Sequence, residues 1–261
     1  MTQTVWRLLL TLLMLYTNQP EQPQTICLEF KSYAKQCGAS DIKHIREQVH
    51  VDAVYLQRMS ISYKVKTRGK KPQYRNKYMK LFREVNRYTG CYEFTFGDDF
   101  FKVLNVTYRK MYMHCPVEMW QLNSGQYPHS FFFMLKLAEY TRINLTNGNN
   151  TMTSDGKMQI RSISVKALVA ASPLFPSLAD VRAKGRHVKR QIFDAFQKNM
   201  DALLPVLTWK YHHEGLGELS HETVSEFTHS MFMRMSIIVV WNEYPDCTDF
   251  MAKTEKAKKR R

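Results

Sequence analysis

Hydrophobic and polar positions along this chain change period several times, and each change predicts an element. Val5 to Tyr16 form an apolar run interrupted by Arg7 and Thr11, and a polar stretch from Thr17 to Gln24 follows. Spanning a bilayer takes about 20 apolar residues in a helix. The run is therefore expected to be a terminal helix for docking, self-association or membrane contact, or else a cleaved secretory leader, although no Lys or Arg precedes it. Ser40 and Asp41 can start a helix with Ile42, Ile45 and Val49 on one face. Met59, Ile61, Tyr63 and Val65 alternate with Ser60, Ser62, Lys64 and Lys66, which predicts a strand with one charged face. Thr67 to Pro72 reads as a loop. Tyr78, Phe82 and Val85 then fall at helical spacing and predict a helix over 75–88.

Tyr92, Phe94 and Phe96 alternate as a further strand, and Val103 to Met113 is strand-like in composition. Phe131, Phe133, Leu135 and Leu137 repeat the alternation, and a polar loop from Asn144 to Gly156 precedes a β-branched segment from Met158 to Leu168. Pro173 and Pro176 mark a turn. Ile192, Phe196, Met200 and Leu203 predict a helix over 188–204, and the alternation from Met231 to Trp241 predicts a long strand. The order lacks βαβ regularity and shows no internal repeat, so the expected class is α+β: a single compact domain with a mixed or antiparallel sheet and flanking helices. Its divisions are residues 1–24 as an apolar segment and linker, 25–250 as the domain, and 251–261 as a basic tail.

Charge sharpens this picture. The 261 residues carry 38 Lys and Arg against 23 Asp and Glu, a net +15. Arg58 to Arg87 holds eleven of the cations and one acid, Glu84, and Lys253 to Arg261 holds six cations and one acid, Glu255. The rest of the chain balances to zero. Two patches thus dominate the field of a neutral body, and a polyanionic partner relieves their self-repulsion. Lys64, Lys66, Arg68, Lys70, Lys71, Arg75, Lys77 and Lys80 are the candidate membrane- or RNA-binding residues. Tyr63, Tyr74, Tyr78, Phe82 and Tyr88 are interleaved with them, suited to base stacking or to a core. Lys253, Lys256, Lys258, Lys259, Arg260 and Arg261 form a tail of the kind read by nuclear import receptors. A further basic stretch, Arg182, Lys184, Arg186, Lys189 and Arg190, leads into the helix predicted over 188–204.

Signatures of catalysis are sparse. Gly97-Asp98-Asp99 matches three residues of a polymerase metal turn, too little to set against a plain acidic turn. His212-His213 and His114-Cys115 lack zinc-site spacing, and neither a nucleophile elbow nor a phosphate-cradling glycine loop occurs. A non-enzymatic protein without cofactor or metal is expected. Asn105, Asn144 and Asn149 begin glycosylation acceptor patterns. With Cys27, Cys37, Cys91, Cys115 and Cys247 they keep open a secreted, partly disulfide-bonded glycoprotein.

The strand at 59–65, basic loop at 67–72, helix at 75–88, segments 92–96 and 101–108, and closing strand 230–241 with Asn242 to Asp246 resemble rhabdovirus matrix proteins over about half the chain. With the basic tail, the resemblance narrows to those of plant viruses that assemble in the nucleus. It implies a structural protein that condenses the viral nucleocapsid, binds RNA and an anionic membrane surface, self-associates and drives budding. Virion and host nucleus are the implied locations. The apolar start and the lack of Pro-Pro-x-Tyr or Pro-Thr-Ala-Pro depart from that family. A dedicated single-stranded RNA-binding nucleoprotein is the remaining alternative.

Overall fold

The computed structural model describes residues 2–19, 21–66, 74–107, 115–147 and 151–243. It is an α+β protein with small antiparallel sheets. Where one body was expected from 25 to 250, chain contacts divide it into two compact units, Met1–Tyr112 and Met113–Arg261. A physical reason lies in the sheets. Each unit closes its own, with its own aromatic centre, so each has a separate core to bury.

Unit 1 begins with α1 (Gln3–Asn18), β1 (Thr25–Glu29), α2 (Phe30–Gln36) and α3 (Ile42–Arg58). Then come β2 (Ser60–Lys66), β3 (Tyr74–Lys80), β4 (Phe82–Arg87), β5 (Cys91–Phe96) and α4 (Asp98–Thr107). The N-terminal apolar run is α1, whose Val5, Leu8, Leu9, Leu12 and Tyr16 are buried and which packs on α3. Asp41 starts α3 as expected: its carboxylate accepts from the amides of Lys43 at 2.8 Å and His44 at 3.2 Å. Strand order is β1-β5-β4, with β2–β3 as a separate two-stranded ribbon.

The helix expected at 75–88 is instead two strands. Tyr78, Phe82 and Val85 mimic a helical period because β3 and β4 meet at buried Leu81, and a bulge between Phe82 and Glu84 shifts the alternation. Pairing of β3 with β2 and of β4 with β5 uses the backbone groups that a helix would have paired internally. Phe82, Phe94, Phe96 and Tyr16 fill the core, with ring centroids 5.2–5.6 Å apart for Phe82–Phe96, Phe82–Phe94 and Tyr16–Phe96. Gly97 passes so close to the Lys80 carbonyl that a Cβ there would collide with it. Asp98 and Asp99 then occupy the first turn of α4, so Gly-Asp-Asp is an acidic turn at a helix start. Of the strand expected over 103–113, residues 103–107 lie in this helix and 108–113 lie outside the described residues.

Unit 2 contains α5 (Glu118–Gln121), α6 (Ser130–Asn147), β6 (Thr151–Met152), β7 (Met158–Ser164), α7 (Val165–Ala171) and α8 (Leu178–Ala183). A π-helical turn, Lys189–Phe193, runs into α9 (Asp194–Asp201). The unit ends with β8 (Leu207–His213), β9 (Gly217–Leu219), α10 (His221–Ser225), α11 (His229–Arg234) and β10 (Ser236–Trp241). Phe131 to Leu137 lie in a helix rather than a strand. Phe131, Phe132, Phe133 and Met134 are all buried in succession, so the start of α6 shows no period, and its polar side, Lys136, Glu139 and Arg142, begins only afterwards. The long strand expected from Met231 starts only at Ser236. Before it, the Thr228 hydroxyl caps α11 by accepting from the Met231 amide at 3.3 Å.

A repeat invisible in the sequence appears in the topology. In both units a long helix (α1, α6) precedes a strand (β1, β7) whose last residue runs directly into a helix (α2, α7). A later helix (α3, α9) then leads toward a second strand (β4, β8), and a closing strand (β5, β10) pairs antiparallel between the other two.

Candidate nucleic-acid interface

Unit 1 presents its cations on the ribbon. β2 and β3 pair from Ser60↔Lys80 to Lys66↔Tyr74. Their fourteen residues hold Lys64, Lys66, Arg75, Lys77 and Lys80 and no acid. Alternation divides them between two faces. Ser60, Ser62, Lys64, Asn76, Tyr78 and Lys80 share one face and all are exposed, while Ile61, Tyr63 and Met79 on the other are half-buried. Of the expected patch, Lys64, Lys77 and Lys80 are therefore exposed, and Lys66 and Arg75 hold register positions in the strands. Arg68, Lys70 and Lys71 lie outside the described residues, as do the six cations of the expected nuclear-targeting tail.

The interleaved aromatics divide as well. Phe82 is wholly buried in the core, whereas Tyr78 and Tyr88 are 69% and 50% exposed. Between α2 and α3 the turn from Cys37 to Asp41 contains no cation; Gly38 there takes φ 65°. The outer side of α3 mixes Lys43, Glu47, Val51, Tyr55 and Arg58.

Unit 2 reverses this distribution. Arg182, Lys184, Arg186, Lys189 and Arg190 are all exposed across the turn between α8 and the π-helical entry to α9, with His187 among them and no acid from 182 to 190. Gly185 makes the turn at φ 61°. Lys189 Nζ donates to Ser225 Oγ at 3.2 Å. The hairpin of this unit, β8–β9, by contrast has no excess of cations, because Lys210 pairs with Glu218 at 2.7 Å and Glu214 lies in its turn. The sequence showed this second cluster as a basic stretch. Its placement on a turn between two helices depends on Ser177, whose hydroxyl caps α8 by accepting from the Asp180 amide at 3.1 Å, and on Gly185.

Buried polar side chains hold the long helix of each unit, α1 or α6, to the later one, α3 or α9. In unit 1, Thr4 Oγ1 of α1 donates to Asp52 Oδ1 of α3 at 3.1 Å, and Gln48 Nε2 donates to the same oxygen at 3.1 Å. Asp52 is 3% exposed, and this burial pushes its carboxyl up to about 6 despite both hydrogen bonds. In unit 2, Asn199 Oδ1 of α9 accepts from the backbone amides of His129 and Ser130 at 2.8 and 3.0 Å, satisfying donors at the start of α6. Ser130 Oγ donates to the Asn199 carbonyl at 2.8 Å. His129 packs against Phe133 and Phe175, its Nδ1 lies 2.9 Å from Ser172 Oγ, and burial pushes its imidazole down to about 4.

Other candidate groups are placed elsewhere. Cys27, Cys37, Cys91 and Cys115 are free thiols. Asn105 lies in α4 and its Oδ1 accepts from Tyr16 Oη at 2.6 Å. Among the described residues, no three His, Cys, Asp or Glu side chains gather as a metal set, and no helix is long and apolar enough to cross a membrane.

Compared with known protein families and with curated proteins, the chain matches none. Among solved structures, the selenomethionine crystal structure of domain 2 and domain 3 of RctB is similar over 92% of this chain and 81% of that one, with a TM-score of 0.52 and 9% identity. Coverage of that extent includes residues of both units, and at that identity the likeness is one of fold.

Proposed function

We propose that this protein binds double-stranded DNA, using two helix-turn-helix-like units, and acts by adhesion rather than bond-making chemistry. The observation that carries this reading is the frame common to both units, a strand running into a helix, a later helix and a closing strand paired between two others, with, in each unit, an acid-free cationic element beside the later helix. A helix pair packed on a small sheet presents its second helix to a groove and neighbouring cations to phosphates. In unit 1 those cations sit on the ribbon that follows α3, and in unit 2 on the turn that precedes α9. Burial of Phe82 removes one aromatic from any stacking platform, which weighs toward duplex over single-stranded substrate.

Neutralising phosphates releases counterions, so affinity falls with salt at a slope of about 0.9 per contact. The full chain should bind a mixed-sequence duplex of about 30 base pairs at about 50 mM salt with a steep slope. Replacing Arg182, Lys184, Arg186, Lys189 and Arg190 together with Ala should lower the slope by up to about 4. Absence of duplex binding, or an unaltered slope, would contradict the assignment. Vesicles containing phosphatidylserine form the parallel arm. Strong vesicle binding with weak duplex binding would favour the membrane-bridging matrix role instead, and preference for single-stranded RNA would favour the nucleoprotein alternative.

A further inference from the structure

We propose that the exposed face of the β2–β3 ribbon enters the major groove of the bound duplex and reads base edges there, with Asn76 as a sequence-determining side chain. This rests on the duplex-binding reading above and adds direct readout to it. Comparison of the two units singles the ribbon out: in unit 1 it intervenes between the later helix and the sheet strand β4, whereas in unit 2 α9 is followed by β8 with no ribbon between them. Its two strands pair only with each other. Its other face rests on the unit, with Ile61, Tyr63 and Met79 half-buried and β3 against α4, and this support leaves the polar face free for a partner.

Dimensions and chemistry fit one groove. Strands about 4.8 Å apart, with side chains added, match a major groove about 12 Å wide that admits a two-stranded ribbon. The B-DNA minor groove, at about 6 Å, is too narrow. The deep, narrow major groove of A-form RNA excludes side chains as well. On the exposed face, Lys64 stands opposite Asn76, Ser62 opposite Tyr78 and Ser60 opposite Lys80. All six side chains carry hydrogen-bonding groups, and there is no carboxylate to repel phosphates at the rims. An Asn amide offers an acceptor and a donor together, matching the N6 and N7 pattern of adenine, while Lys pairs with guanine O6 or N7. Lys77, on the opposite face of β3, is placed for a phosphate rather than a base.

The test is selection from a randomised duplex library by the full chain, carried out in parallel with Asn76→Ala, Lys64→Ala and Lys77→Ala proteins whose melting curves match the parent. We expect the parent to enrich a motif, Asn76→Ala to lose preference at one or two positions, and its affinity for an unselected duplex to change less than twofold. Lys77→Ala should leave the motif intact and weaken all sequences alike. Methyl green, a major-groove ligand, should displace the protein, and the minor-groove ligand distamycin should not. An unchanged motif for Asn76→Ala, no motif for the parent, or displacement by distamycin alone would overturn the proposal while leaving sequence-independent duplex binding in place. Failure of the parent to bind unselected duplex would overturn both.

Discussion

Unit 1 and unit 2 share a strand order but place charge on opposite parts of it. The helix-to-helix turn of unit 1 has no cation and its ribbon has five, whereas the turn of unit 2 lies among five cations and its hairpin sets one cation, Lys210, against Glu214 and Glu218. Topology therefore does not dictate which element carries the positive charge; local sequence on a common frame does. The buried locks differ in the same way. Asp52 ties α3 to α1 with a carboxylate, while Asn199 ties α9 to α6 with a neutral amide beside a buried imidazole. One lock titrates itself and the other has a titrating neighbour, so the two units should respond to pH with opposite sign.

The largest effect is expected from Asn199→Ala. It strands two buried amides at the start of α6 and should lower the stability of unit 2 by about 3 kcal/mol. Hydrogen exchange of α6 and α9 amides would report this, with α1 and α3 unaffected. Equal loss in both units would show that the locks are not separate. Next comes acidification. Burial holds His129 at about 4, below its usual 6.5, so its contribution is intact above pH 6.5 and lost as pH falls through 4. At pH 4.5 unit 2 should be weakened by about 2–3 kcal/mol relative to neutral pH.

Asp52 has the reverse dependence. Its carboxyl is raised from 3.8 to about 6, so its stabilising contribution is full below pH 3.8 and lost as pH rises through 6. Asp52→Asn retains an oxygen for Thr4 and Gln48 and removes the buried charge. It should stabilise unit 1 by about 1–2 kcal/mol at pH 8 and have little effect at pH 4. A loss of stability at pH 8 would mean that the carboxylate is better compensated than its hydrogen bonds indicate. The smallest effect concerns the Arg83–Asp98 pair, 3.3 Å apart and exposed on both sides. Arg83→Ala should change unit 1 by less than about 1 kcal/mol, as checked by thermal melting.

What the sequence revealed followed from signals that are local. Asp41 before Ile42 marked the start of α3, alternation at 59–65 and 92–96 marked β2 and β5, and the cation count marked the ribbon, whereas the 182–190 cluster showed only as a basic stretch in a part of the chain whose charge balances. What it concealed depended on tertiary context. The β3–β4 junction at Leu81 produced a false helical period, and unbroken burial from Phe131 to Met134 hid the period at the start of α6. The Met231 to Met235 alternation straddles a helix end at Arg234. The repeat itself was hidden because the units share a path and not their residues: even the two helix locks use Asp52 in one and Asn199 in the other. The ribbon cations were legible, but the continuity of β2 and β3 as a paired ribbon was not, since half of it had been assigned to a helix. Of the elements behind the matrix-protein resemblance, the helix expected at 75–88 is two strands, and residues 101–107 lie in α4.

Lysine footprinting tests the central claim most directly. The full chain is acetylated at low salt with and without a mixed-sequence duplex, and each lysine is quantified by mass spectrometry. Binding through both units predicts that Lys64, Lys77 and Lys80 of the ribbon, and Lys184 and Lys189 of the unit 2 turn, become several-fold less reactive, while exposed Lys157 and Lys210 keep their reactivity. Protection absent from both elements, confined to one unit, or spread evenly over every lysine would contradict it.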